Sequence, residues 1–195
     1  VRDITTIRDM LLSSFELYKN NIAYLVKDDL KSPYREIKYS EVEDDVYNLA
    51  TAFFGEELND KRIAVIGENS YEWEITYLSV VCGTGTIVPI DKELPVNEIG
   101  NLLGRAEASC IVFSEKVYKK NPEFFDGLEG IKKFCMSKID NYKSLRELIE
   151  DGKKLRTEGN KEFDNAEVSP EDVDILLFTS GTTGTAKGVM LTHKN

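Results

Sequence analysis

Hydroxyl side chains, glycines and one lysine are concentrated in a single stretch near the end of the chain, Thr179-Ser180-Gly181-Thr182-Thr183-Gly184-Thr185-Ala186-Lys187-Gly188. Glycine lets a backbone approach a ligand closely, consecutive amide N–H groups form an anion-binding concavity, and hydroxyls add further donors. Lys187 supplies a full positive charge for the oxygens of a polyphosphate. The pattern is therefore typical of a site for a nucleotide triphosphate.

The main alternative for this stretch is a flexible connector, because loops rich in serine and glycine are often linkers. The P-loop pattern G-x-x-x-x-G-K-[ST] does not match, since Gly188 follows Lys187 where that pattern has a magnesium-binding hydroxyl. However, apolar runs at Ile175–Phe178 and Val189–Leu191 predict a strand on each side of the loop. A linker needs neither two flanking strands nor the lysine, so a phosphate loop is favoured.

The order of these residues resembles the phosphate-loop signature of the adenylate-forming superfamily. That superfamily includes acyl-CoA synthetases, aryl-CoA ligases, luciferases and nonribosomal-peptide adenylation domains. Many members carry proline where this chain has Ala186, a change that loosens the loop without removing a phosphate contact. Two upstream segments, Ile37–Val42 and Val81–Asp91, are similar to the first and second core motifs of the superfamily.

The resemblance implies a ligation in two steps that uses ATP, Mg²⁺ and coenzyme A. Lys187 would neutralise the departing pyrophosphate. The residues implied to hold the β- and γ-phosphates are Thr179, Ser180, Gly181, Thr182, Thr183 and Gly184. The Ala186-Lys187-Gly188 variant and the charged segment before the loop resemble the branch of medium- and long-chain fatty acyl-CoA ligases. Two alternatives stay open: adenylation of an aryl or amino acid, and a non-catalytic nucleotide-binding module.

The resemblance also implies that residues 1–195 form a partial N-terminal large domain of an AMP-forming synthetase, without its C-terminal domain. The carboxylates that hold Mg²⁺ and the catalytic lysine of the superfamily are expected further along the chain. The 195 residues are therefore expected to be inactive alone, and to self-associate through surfaces that the missing part would cover.

The composition indicates a globular protein and excludes some partners. The 35 acidic against 25 basic residues argue against non-specific binding to nucleic acid or to an anionic membrane. No run of 18 apolar residues occurs, so no integral membrane segment is predicted. Three scattered cysteines without a C-x-x-C pair predict free, buried thiols in a reducing cytoplasm.

Hydrophobic periodicity predicts an α/β fold with a parallel βαβαβ sheet, helices on both of its faces, and a small N-terminal helix and β-hairpin. The predicted strands are 22–26, 36–39, 62–66, 86–90 and 110–113, and the predicted helices are 5–19, 40–55, 69–81 and 96–106. Ser40 and Glu43 predict a capping box at the start of the second helix, 40–55. Residues 137–170 are polar, and they predict one short helix, 144–149, with the rest of the segment on the surface.

Several residues that could suggest chemistry have a simpler structural explanation. His193 is the single histidine, so no histidine metal site or catalytic triad can form within the chain, and a structural role is favoured. Asp91 is expected in a turn, and Trp73 with Tyr77 in the core. The acidic run Glu41–Asp45 is expected to complement a helix dipole, and no metal ligands are predicted.

Overall fold

The computed structural model of the chain describes residues 3–27, 31–179 and 186–195. The first helix, α1 (Ile7–Tyr18), is capped by Thr6, whose hydroxyl accepts a hydrogen bond from the Asp9 amide at 3.0 Å. Strands β1 (Ile22–Val26) and β2 (Arg35–Lys38) then pair in antiparallel fashion. The predicted N-terminal helix and hairpin are therefore confirmed.

The second helix, α2 (Tyr39–Gly55), begins earlier than the sequence predicts. The Lys38 amide donates to the Glu41 carboxylate at 2.9 Å, so Glu41 closes the first turn. Ser40 already lies inside the helix, and the predicted capping box of Ser40 with Glu43 is wrong. The reason is that strand pairing keeps Lys38 extended and leaves the next residue free to turn. The predicted buried face is confirmed, with Val42, Val46, Leu49, Ala50 and Phe53 all buried.

Strands and helices then alternate as predicted, and each boundary lies within two residues of its predicted position. The elements are β3 (Lys61–Ile66), α3 (Tyr71–Val81), β4 (Gly85–Pro89), α4 (Val96–Arg105) and β5 (Cys110–Phe113). Ser70 caps α3 by accepting from the Trp73 amide at 3.2 Å.

The middle of the chain contains more regular structure than the sequence predicts. Helices α5 (Glu115–Lys120) and α6 (Pro122–Asp126) and strand β6 (Lys132–Cys135) were not predicted, because each is too short for a clear period. Helix α7 (Leu145–Thr157) is more than twice as long as the predicted helix 144–149. The predicted end of this helix at residue 149 is therefore wrong. The prediction that the charged residues beyond it lie on the surface is confirmed, since Lys153, Lys154, Glu158 and Lys161 are exposed.

The last two strands, β7 (Val173–Thr179) and β8 (Lys187–Thr192), form an antiparallel hairpin at one edge of a six-stranded sheet. The strand order is β6-β5-β3-β4-β7-β8. All pairs other than β7–β8 are parallel. The predicted parallel sheet is thus confirmed, with one antiparallel strand added at its edge.

The strand order explains why helices cover both faces of the sheet. The crossovers from β3 to β4 and from β6 to β7 run in one direction along the sheet, and those from β4 to β5 and from β5 to β6 run in the other. Because such crossovers are right-handed, opposite directions place their helices on opposite faces. Accordingly, α3 and α7 contribute to one hydrophobic core together with α1 and α2, and α4, α5 and α6 contribute to a second.

The three cysteines confirm one prediction from composition. Cys82, Cys110 and Cys135 are all buried and free. Burial raises the pKa of the Cys82 thiol to about 12, so it stays protonated and unreactive at neutral pH. No α-helix within the described ranges combines the length and the apolar character that a membrane crossing requires.

Candidate phosphate-binding site

The predicted phosphate loop connects β7 to β8. The structure describes Thr179 at the end of β7 and Lys187 at the start of β8. The other predicted ligand-binding residues, Ser180, Gly181, Thr182, Thr183 and Gly184, lie outside the described residues.

Thr179 and Lys187 are direct partners in the antiparallel register, so their Cα atoms lie roughly 5 Å apart. Side chains of directly opposed residues project from the same face of a sheet. Both residues are exposed, and no ion pair joins the Lys187 ammonium to any other residue in the described ranges. A hydroxyl and a lysine are therefore brought together at the base of the loop, and both are accessible to a ligand.

The loop emerges at the edge of the sheet where parallel strands end. Strand β7 runs parallel to β4, with Ile87 opposite Ile175, so Thr179 lies on the same side as the residues that follow β3, β4 and β5. Open α/β sheets bind ligands outside the carboxyl ends of their strands. The predicted position of the phosphate loop at this edge agrees with the fold.

Two further polar residues at this edge were not identified from the sequence. The Ser114 hydroxyl donates to the Glu68 carboxylate at 2.7 Å and accepts from the Val117 amide at 3.3 Å. Partial burial raises the pKa of Glu68, but the hydrogen bond from Ser114 and the nearby lysines outweigh burial and lower it overall. Ser114 is already committed to capping α5, so this pair connects β3 to β5. Only the sheet order brings the two residues together, since they are 46 positions apart.

The turn after β4 contains Asp91, and its role is as predicted. The Asp91 carboxylate accepts from the Glu93 amide at 2.9 Å, and its backbone carbonyl accepts from the Leu94 amide at 3.2 Å. Such a side-chain-to-backbone bond two residues along is the usual mark of a turn aspartate. Asp91 is thus a turn residue.

His193 lies at the opposite end of β8 from the loop, and its side chain is inaccessible to solvent. Its Nδ1 atom is 2.7 Å from Asp174 Oδ2 and accepts from the Ile7 amide at 3.2 Å. Burial raises the pKa of Asp174 to about 7 and lowers the pKa of His193, so burial favours the uncharged form of each side chain. These contacts connect β7, β8 and α1, which agrees with the structural role predicted for His193.

The aromatic pair Trp73 and Tyr77 belongs to the first core, as predicted. The two rings stack with centroids 5.6 Å apart and an angle of 13° between their planes. Both side chains are partly buried against the core of α1, α2, α3 and α7. They support helix packing in this core.

A groove of about 750 Å³ lies between α2, α3 and α7, and neither Thr179 nor Lys187 lines it. Asp45 lines this groove, but it already accepts a hydrogen bond from Tyr71 at 2.9 Å and lies 3.6 Å from Arg146. Partial burial is the main reason that the pKa of Asp45 is raised. Within residues 3–27, 31–179 and 186–195, no group of three or more histidine, cysteine, aspartate or glutamate side chains is arranged to hold a metal ion.

The sheet and the paired residues Thr179 and Lys187 define an α/β protein that presents a hydroxyl and a lysine at the edge where its parallel strands end. The sequence matches the family described as AMP-binding enzyme over residues 15–195. The chain belongs to this family, and the predicted resemblance is confirmed.

Two curated relatives and one solved structure illustrate the match. Long-chain-fatty-acid–CoA ligase 1 of Cavia porcellus is 28% identical over 213 residues, which cover 99% of this chain and 29% of the relative. The 4-coumarate–CoA ligase-like protein 1 of Arabidopsis thaliana is 29% identical over 196 residues, covering 100% of this chain and 34% of the relative. The crystal structure of a long-chain-fatty-acid-CoA ligase from Archaeoglobus fulgidus has a TM-score of 0.75 at 22% identity, covering 96% of this chain and 36% of that one. The chain therefore spans about a third of the length of the proteins that it matches.

Proposed function

We propose that this chain supplies the ATP-phosphate site of an AMP-forming acyl-CoA ligase. The observation that carries the proposal is the pairing of Thr179 with Lys187 at the base of the loop, within a chain of the AMP-binding enzyme family. A hydroxyl donor and a cation held together at a sheet edge are suited to phosphate oxygens.

The proposed reaction has two steps. A carboxylate oxygen of the acid attacks the α-phosphorus of ATP, the bond from that phosphorus to the bridging oxygen breaks, and pyrophosphate leaves with the electron pair. The thiolate of coenzyme A then attacks the acyl carbon of the adenylate, and AMP leaves as the thioester forms.

The residues of this chain act at the phosphate end of the first step. We assign the β- and γ-phosphates to Thr179, Ser180, Gly181, Thr182, Thr183 and Gly184. Lys187 neutralises charge on the departing pyrophosphate, because a fixed cation stabilises charge that develops on leaving oxygens.

Magnesium belongs to the proposal as the counter-ion of ATP. Mg²⁺ prefers substrate phosphates, waters and one or two carboxylates over a cage of protein ligands. The phosphate oxygens of ATP would hold the ion.

A fatty acid is the proposed carboxylate substrate, because the Cavia porcellus and Archaeoglobus fulgidus proteins are both described as long-chain-fatty-acid–CoA ligases. An aryl carboxylate is the second candidate, favoured by the 4-coumarate–CoA ligase-like relative, which aligns with 100% of this chain. Three free thiols favour a reducing compartment such as the cytoplasm.

The proposal is tested by ATP–pyrophosphate exchange, measured on the protein that contains these 195 residues across a panel of fatty and aryl acids. Lys187→Ala is expected to slow exchange by about 100-fold, the usual effect of removing one preorganised group from a developing negative charge. Lys194→Ala is the matched control, because the Lys194 ammonium pairs with Glu171 at 2.9 Å on the surface, beyond the far end of β8. Equal rates for Lys187→Ala and wild type would refute the role of Lys187, and no exchange with any acid would refute the ligase activity.

A further inference from the structure

Arg105, in the last turn of α4, contacts both sides of the loop base. Its guanidinium Nη1 donates to the backbone carbonyl of Ala186 at 2.6 Å, and its Cζ lies 5.4 Å from the centroid of the Phe178 ring. Phe178 immediately precedes Thr179, and Ala186 immediately precedes Lys187. One side chain therefore joins the two strands at the point where the loop leaves them.

The Phe178 ring is held in place from the neighbouring strand. Phe178 is opposite Gly188 in the β7–β8 register, and a Cβ atom added at Gly188 would lie 3.5 Å from the ring and 3.3 Å from Leu176 Cδ1. The ring thus covers a position that has no side chain of its own, as aromatic residues do beside glycines at sheet edges. The guanidinium of Arg105 lies over this ring.

A simpler explanation of Arg105 is that it complements the dipole of α4, since cations are favoured in the last turn of a helix. That role does not require a hydrogen bond to a residue 81 positions away. The carbonyl of Ala186 lies immediately before Lys187, which pairs with Thr179 at the loop end of the described ladder. A charge-assisted bond to this carbonyl fixes the residue before Lys187.

We propose that Arg105 is a positioning residue for the phosphate site: it fixes Ala186 and Phe178 so that Thr179 and Lys187 stay aligned for a polyphosphate. This inference rests on the proposed function of the loop. Arg105 acts through the two strands and does not itself bind the nucleotide. Its loss is therefore expected to weaken binding of ATP more than it slows the chemical step.

The test combines a structural and a kinetic measurement on Arg105→Ala and Arg105→Lys. Hydrogen exchange of the Lys187 and Gly188 amides is expected to accelerate in Arg105→Ala. In ATP–pyrophosphate exchange, KM for ATP is expected to rise roughly tenfold with kcat within about twofold, because a binding contribution is lost. Arg105→Lys keeps a donor for Ala186 but loses the planar stack on Phe178, so it is expected to rescue most of KM.

Arg62→Ala is the matched control. Arg62 donates to the Ala106 carbonyl at 3.0 Å and to Glu107 at 2.8 Å, so it holds the same end of α4 without contacting the hairpin. The positioning role would be overturned, with the proposed function left standing, if Arg105→Ala showed wild-type hydrogen exchange or a wild-type KM for ATP. The same conclusion would follow if Arg62→Ala changed hydrogen exchange and KM as much as Arg105→Ala does. If Arg105→Ala does not fold, Arg105→Met replaces it, because methionine keeps a long aliphatic side chain but has no donor for the Ala186 carbonyl. Wild-type hydrogen exchange and a wild-type KM for ATP in Arg105→Met would overturn the role. If the wild-type protein shows no ATP–pyrophosphate exchange, the proposed function is overturned, and this inference is overturned with it.

Discussion

At the scale of single residues, the most unusual feature is the buried contact of Asp174 with His193. The Asp174 side chain is only 6% exposed, and the Nε2 atom of His193 has no hydrogen-bond partner among the described residues. Other charges near the pair are acidic, since Asp172 and Asp9 both act on His193. Burial among like charges makes an ionised Asp174 costly, so the neutral carboxyl is favoured.

This pair predicts how stability depends on pH. The pKa of Asp174 is 3.8 in an exposed chain and about 7 in the folded protein, so the folded state retains a proton that the unfolded state has lost. Such a group reduces stability as pH rises from about 4 to about 7. Asp174→Asn cannot ionise at this position, so its stability does not fall in this way as pH rises. Its melting temperature is expected to exceed that of wild type by a margin that grows over that range, to the equivalent of about 1–3 kcal/mol at pH 7.

Thermal melts at several pH values check this expectation. The control is Glu171→Gln, which neutralises an exposed carboxylate three residues away and should change the melting temperature little at any pH. A difference between Asp174→Asn and wild type that stays constant from pH 4 to 8 would contradict the raised pKa.

At the scale of secondary-structure elements, the most informative feature is the close packing of α7 against α2 in the first hydrophobic core. Gly152 of α7 lies directly on the backbone of α2: a Cβ atom at that position would be 1.8 Å from the Asn48 carbonyl oxygen and 3.0 Å from the Ala52 nitrogen. Leu145, Leu148 and Ile149 of the same helix are buried. The segment that looks like a charged spacer in the sequence is therefore half of a close helix pair.

Gly152→Ala is expected to destabilise the protein by roughly 2–4 kcal/mol, because backbone atoms cannot move aside as a flexible side chain would. The matched control is Gly104→Ala in α4, where an added Cβ meets nothing within 4 Å. That change is expected to be neutral or slightly stabilising, since alanine is the better helix former. Chemical denaturation of the two variants separates the outcomes, and equal stabilities would show that the helices are not in close contact.

At the scale of the whole molecule, the sheet ends at β8, which pairs only with β7 among the described strands. This edge strand exposes apolar residues, with Met190 67% and Val189 39% exposed. Exposed apolar edge strands are templates for pairing with another chain. We therefore expect the 195-residue chain to self-associate at high concentration.

Light scattering over a concentration series tests this expectation. Met190→Lys is expected to lower the average mass, because a lysine on an edge strand opposes edge-to-edge pairing. Met10→Lys is the control, since Met10 is 47% exposed but lies on helix α1 and not on the edge strand. A monomeric mass for the wild-type chain at every concentration would exclude self-association.

The sequence by itself determined the family and most of the sheet, and it predicted the phosphate loop. The order of residues in 179–193 identified the phosphate loop, and clear periodicity located β3, α3, β4, α4 and β5 within two residues. These features are local, so neighbouring residues are sufficient to specify them. The identity of the loop residues as phosphate ligands remains a prediction.

Only the tertiary structure decided which distant residues meet. Thr179 is opposite Lys187, Arg105 reaches Ala186, and Asp174 lies against His193 because the strand order brings β4, β7 and β8 together. Strand pairing also moved the start of α2 to Tyr39, and packing against α2 allowed α7 to continue through its charged residues. The physical reason is that these contacts depend on burial and pairing between segments far apart in the chain, which a local pattern does not encode.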